Sequence, residues 1–168
     1  MQANPSYAGK PMKKSKFSLN RNDQALSALV QSSNKRTLAL WPIECVERVL
    51  SFFTRDDPED NRPQQALDTL RNWLDTGKFS MSVIRTASLN SHAAAHEIEV
   101  DSPARSAARA AGQAVATAHV PAHALAAASY AQQAGHRAAD PDKSESAVAE
   151  EARWQYQRLI ELNAGKKD

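Results

Sequence analysis

Residues 104–118 read Ala-Arg-Ser-Ala-Ala-Arg-Ala-Ala-Gly-Gln-Ala-Val-Ala-Thr-Ala, and this stretch decides the fold class. It lies within Ala87–Ala139, a segment in which 21 residues are alanine. Alanine loses no side-chain entropy in a helix and has the highest helix propensity, so the segment predicts helices throughout. It also brings little side-chain area to a core. Such helices gain stability by close backbone approach over small residues, here Ala108, Gly112 and Ala116, where dispersion contacts replace bulk. The expected fold is therefore all-α: a single-domain helical bundle of about six to seven helices, alanine-rich in its second half.

Punctuation on either side of this stretch sets the remaining elements. Asp101-Ser102-Pro103 is a start signal, a capping side chain followed by proline. Pro121 divides the alanine region into two helices near Ala118–Val120. Asp140-Pro141-Asp142 is a turn before a last helix over about 143–162, with Val148, Ala152, Leu159 and Leu162 facing inward. Toward the N-terminus, Ser80 or Ser82 caps a helix running to about Glu97. Pro63 opens an amphipathic helix carrying Ala66, Leu67, Leu70, Trp73 and Leu74, and Gly77 ends it.

The bulky half of the core is carried by Lys35–Thr54. Leu38, Trp41, Cys45, Val49 and Phe52 recur at spacings of three and four, and Ala39, Val46, Leu50 and Phe53 form a second stripe beside them. Two stripes make a wide apolar face, which predicts a deep helix. Pro42 is expected to kink it or to start a new helix. Glu44 and Arg48 stand in the favourable order for a surface pair four apart. A short helix is expected over about 23–31. Residues 1–18 read as a flexible basic leader, 19–164 as the helical domain and 165–168 as a frayed tail. No alternating strand pattern interrupts this reading.

Bulk composition excludes several function classes. A chain of 168 residues is long enough to bury a core without staples, and its single cysteine excludes a disulfide framework. No apolar run resembles a secretory signal or a membrane span, so a soluble, cytoplasmic protein with no membrane partner is expected. The net charge is +2, from 21 basic and 19 acidic residues. Attraction to nucleic acid would need a clustered patch. Lys10, Lys13, Lys14, Lys16 and Arg21 precede the first acid, Asp23, and are read as a solvated tail, with a nucleic-acid arm as the alternative.

Recognisable catalytic chemistry is missing from the sequence. There is no Gly-x-Ser-x-Gly elbow, and five glycines do not supply a phosphate-cradling loop. Cys45 on the apolar face is expected to be buried and inert. Glu44 and Glu47 read as a solvated helix face with Arg48 at hand. The chain is therefore expected to be no enzyme and to need no cofactor. His92 and His96 are four apart, as are His119 and His123, and four imidazoles in such pairs are a candidate transition-metal site. The metalloprotease pattern is absent, because Ala93 follows the first histidine. Their plainer role is hydrogen bonding between alanine helices. Arg105 and Arg109 form a basic ridge suited to an acidic partner, or a solvated face whose stems cover alanines. Asp56, Asp57, Glu59 and Asp60 form an acidic loop suited to a protein contact.

Four motifs in this order are familiar together. They are Ala39-Leu40-Trp41 with Cys45-Val46-Glu47-Arg48-Val49-Leu50; Arg62-Pro63 leading to Ala66 and Trp73; Ala107 through Val120 continuing to His123-Ala124-Leu125; and Trp154-Gln155 followed by Leu159. Over about residues 36–162 the chain resembles a bacterial family of helical proteins classed as immunity proteins of polymorphic-toxin systems, the immunity family numbered five and its relatives. The resemblance implies a cytosolic, non-enzymatic protein that binds and neutralises a cognate toxin. Pro121 and Ile160 depart from the family's pattern. With a mildly basic charge, an acidic or neutral toxin is the compatible target, since complementary fields speed capture. The alanine faces also leave a homo-oligomer open as a partner.

Overall fold

The computed structural model describes residues 13–19 and 23–165, and among these it contains eight α-helices and no strand. They are α1 (Gln24–Ser32), α2 (Lys35–Glu47), α3 (Leu50–Asp56), α4 (Arg62–Thr76), α5 (Met81–Glu97), α6 (Pro103–Ala116), α7 (His123–Ala138) and α8 (Ser144–Ala164). The helix beyond the expected number comes from the Lys35–Thr54 segment. Pro42 lies inside an uninterrupted α2, and the break falls instead at Arg48–Val49, where Val49 (φ −121°, ψ −8°) leaves the helical region. Pro42 lacks the N–H that would have bonded the Leu38 carbonyl, and the helix continues past that single lost bond because its neighbours are buried on both stripes.

Helix ends follow local chemistry. Asp23, Asn34 and Ser102 each accept a bond from the backbone N–H three residues on, at 2.9, 2.9 and 3.1 Å, which satisfies donors the helix itself cannot. Gly77 closes α4 in the left-handed conformation (φ 67°), which costs a residue without Cβ little.

Two kinds of packing share one core. Trp41, Phe53, Leu67, Leu70 and Ile84 fill the first half with bulk. In the second half α6 is the central helix, packed against α2, α3, α4, α5 and α7, with ten of its fourteen residues buried. Ser88 Oγ and Ser91 Oγ of α5 donate to the backbone carbonyls of Gly112 and Ala108, both at 2.8 Å. A short hydroxyl reaches a neighbouring helix's backbone only where the intervening side chains are this small.

A buried polar hub joins α2, α7 and α8. Gln155 is fully buried, and its Nε2 donates to the Ala128 carbonyl and to Glu151 Oε1, both at 3.1 Å. Its Oε1 accepts from Gln132 Nε2 at 2.8 Å, and its own carbonyl accepts from Trp41 Nε1 at 2.8 Å. Glu44 and Arg48 each turn to α8: Glu44 takes a bidentate pair from Arg158 (2.5 and 2.9 Å), and Arg48 bonds Glu151 at 2.9 Å with its guanidinium 4.0 Å from the Trp154 ring. Burial, with Glu151 and Glu44 nearby, pushes the Cys45 thiol well above its ordinary pKa, which keeps it protonated and unreactive.

The described end of the basic leader lies against the α7–α8 junction. Lys14 Nζ donates to the carbonyls of Arg137 (2.9 Å) and Ala139 (2.5 Å), a cation at the negative end of α7. Ser15 Oγ donates to Glu145 at 2.6 Å, and Phe17 packs 5.4 Å from the His136 ring. The rest of the leader, with Lys10, lies outside the described residues, as do Arg21 and residues 166–168 of the tail. Among the described residues no helix is long and apolar enough to cross a membrane.

Candidate functional site

Only Pro103, Arg105, Arg109 and Gln113 of α6 are partly exposed. The last three stand four apart, so they form one line on the helix surface about 12 Å long. This line is the floor of a strip bordered by α5 and α7. On the α7 side, His123 Nδ1 lies 2.6 Å from Gln113 Oε1, the Tyr130 ring lies 5.9 Å from the Arg109 guanidinium, and Gln133 Oε1 accepts from Ser106 Oγ at 3.0 Å. Arg137 completes the series by donating Nη1 to Ser106 Oγ at 2.8 Å. On the α5 side, the His92 ring lies over Gly112 so closely that a Cβ there would sit 2.8 Å from Nε2.

One end of the strip concentrates positive charge. Arg105 Nη1 and Arg137 Nη2 both approach the same oxygen, Asp101 Oδ1, at 3.3 and 3.1 Å. The two arginine side chains are only 18 % and 16 % exposed, while Asp101 is 67 % exposed. Arg109 has no acidic partner among the described residues, so this end of the strip holds three guanidiniums and one solvent-facing carboxylate, which pairs with two of them. Arg105 Nε is buried and has no acceptor among the described residues. Burial pushes the pKa of Arg137 down from its ordinary value; Asp101 opposes that, and the Arg109 and Arg105 charges add to it.

The other end carries imidazoles. The His119 and His123 rings lie 5.4 Å apart, tilted by 44°, and His119 Nδ1 is buried with no partner among the described residues. Burial, then the charges of Arg109 and His123, holds His92 below the ordinary imidazole pKa. Burial and then His119 do the same for His123. The four histidines expected as a candidate metal site do not close into one. His96 is exposed at the end of α5, the His92 ring is committed to Gly112, and His123 Nδ1 is committed to Gln113. Among the described residues no group of three or more His, Cys, Asp or Glu side chains is placed to hold a metal ion.

The acidic loop divides into an inner and an outer part. Asp60 is bound by Arg62 through Nε (3.0 Å to each oxygen) and Nη2 (2.6 Å), which holds its carboxyl below the usual range. The same Arg62 bonds Glu97 at 2.9 and 2.5 Å, tying the loop to the end of α5 that leads to Asp101. Asp56, Asp57 and Glu59 face solvent.

Residues 28–162 match the family described as "Imm-5 like putative immunity protein". The chain belongs to that family. No curated protein and no solved structure matches it. The part shared with the immunity family begins inside α1 and ends inside α8, so it contains the whole strip on α6 and excludes the leader. Of the strip's residues, Arg105, Arg109, His92, His119 and His123 are legible in sequence as candidates. Asp101 reads only as part of a helix start, and Arg137 carries no sequence signal, because its place beside Arg105 depends on the antiparallel register of α6 and α7.

Proposed function

We propose that this immunity-family chain is a non-enzymatic, cytoplasmic protein that binds the toxin of its own system and neutralises it by covering the toxin's working surface. The observation that carries the reading is the strip along α6 and its α7 border, where Arg105 and Arg137 share a single exposed carboxylate and Arg109, one turn along, has no acidic partner among the described residues. Occlusion needs a rigid surface, and this one is mounted on the most deeply packed helix of the molecule, so little order is lost on binding. Arginine is also the cation best suited to interface contacts, because its planar fork matches carboxylates. Asp56, Asp57 and Glu59 provide a second, acidic contact on the loop tied to the same end of the bundle. An acidic toxin surface facing the strip fits both the local charge and the mildly basic chain.

The test is calorimetric titration with the product of the toxin gene neighbouring this one. The reading expects 1:1 binding, weakened about thirtyfold by Arg105→Gln with Arg109→Gln, the loss typical of an interfacial arginine. Absence of binding to every such neighbouring product would overturn it.

A further inference from the structure

Asp101 is the counter-ion that two of the strip's arginines share. It is four residues before Arg105 and lies in the α5–α6 connection. A single oxygen bridges Arg105 and Arg137, while the carboxylate itself is two-thirds exposed. That is an incomplete match: two guanidiniums bring up to ten N–H donors between them, and a carboxylate bound end-on through one oxygen forgoes the bidentate pairing guanidinium favours. Among the described residues Arg105 Nε has no acceptor, and Arg109, one turn along, has no acidic partner, only the Tyr130 ring beside it.

Resting on the toxin-binding reading, we propose that Arg105, Arg109 and Arg137 are the receptor for a pair of carboxylates on an acidic segment of the partner, and that Asp101 occupies this receptor until the partner displaces it. The spacing selects the ligand. Arg105 and Arg109 are one helical turn apart, roughly 5–6 Å, which matches two glutamates four apart on a facing helix. Tyr130 forms a wall beside Arg109, and Ser106 with Gln133 holds Arg137 in place, so the cations are positioned before the ligand arrives. A displaced Asp101 returns to water at little cost because it is already mostly exposed, which makes the exchange reversible.

This predicts an effect of opposite sign to an ordinary ion-pair deletion. The probe is a 14-residue helical peptide with glutamates four apart, labelled for fluorescence anisotropy, alongside a matched peptide with glutamine at those positions. Asp101→Asn removes the competitor and should tighten binding of the glutamate peptide about two- to fivefold, the worth of an exposed ion pair. Asp142→Asn makes the same change in net charge at an exposed position elsewhere and should leave binding unchanged. Arg109→Gln, which breaks no hydrogen bond among the described residues, should abolish binding, and the glutamine peptide should not bind. If Asp101→Asn leaves affinity unchanged or weakens it, the displacement is wrong. If the glutamate peptide fails to bind even the Asp101→Asn protein at millimolar concentration, or a single-stranded oligonucleotide binds through Arg109 where the peptide does not, the acidic-segment receptor is wrong. Toxin titration is scored separately, so a chain that binds its toxin yet fails these assays overturns this proposal alone.

Discussion

Replacing Gly112 by alanine separates two opposing effects that the structure places on one atom. In a helix interior the change should stabilise by about 0.8–1.0 kcal/mol, because glycine has more backbone freedom to lose. The added Cβ, however, would sit 2.8, 2.9 and 3.0 Å from Nε2, Cδ2 and Cε1 of His92, closer than such contacts tolerate. Moving a half-buried ring wedged between α5 and α6 is overpacking, which costs about 1–3 kcal/mol. The net expectation is a destabilisation of about 0–2 kcal/mol. In a His92→Ala background the obstacle is gone, and the same Gly112→Ala change should stabilise by about 1 kcal/mol. The coupling between the two sites is then about 1–3 kcal/mol. Urea unfolding followed by helical circular dichroism reads it directly: with a slope of about 2 kcal/mol/M, a 1 kcal/mol change moves the midpoint by about 0.5 M. Equal midpoint shifts for Gly112→Ala in the two backgrounds would refute the close packing of α5 on α6 that the alanine-rich half depends on.

Other consequences follow from the buried polar groups. Gln155→Leu keeps the side-chain volume but deprives Gln132 Nε2 and Glu151 Oε1 of partners inside the core, and should cost about 2–4 kcal/mol in the same urea assay; a loss under about 0.5 kcal/mol would show that the hub does not constrain the native state. His92 and His123 sit below the ordinary imidazole pKa of about 6.5. The unfolded chain therefore binds more protons than the folded one from about pH 6.5 downward, and stability should fall as the pH drops from 7.5 toward 5. His123→Gln should flatten that slope; a slope unchanged by this variant would count against the assignment. Asp60, whose carboxyl is held low by Arg62, titrates in a lower window, so Arg62→Gln should lower stability at pH 7 and weaken its loss below about pH 4.

The sequence carries some of this architecture openly and hides the rest for identifiable reasons. Both stripes on Leu38–Phe53 pack inward, since three-and-four spacing reports the buried face of a helix whatever it packs against. The starts at Ser102 and Ser80 and the stop at Gly77 were local chemistry and were legible. The break at Arg48–Val49 was not, because neither residue carries a break signal while Pro42, which does, is carried through by burial around it. Arg105 and Arg109 were legible as a ridge because they share one helix. Their partners Arg137 and Asp101 come from α7 and from a connection, and only the packed register brings them together. The histidine spacing was legible too, but spacing fixes a face and not a direction: His92 turns to Gly112 and His96 to solvent.

The central claim is tested most directly by protection. Bacterial cells carrying the neighbouring toxin under an inducible promoter would express either this chain or its Arg105→Gln, Arg109→Gln variant at matched protein levels, and growth after induction would be followed. The account predicts that the unaltered chain restores growth and that the variant, though equally abundant and folded, restores it less well. Growth restored equally by both proteins, or by neither, would contradict it.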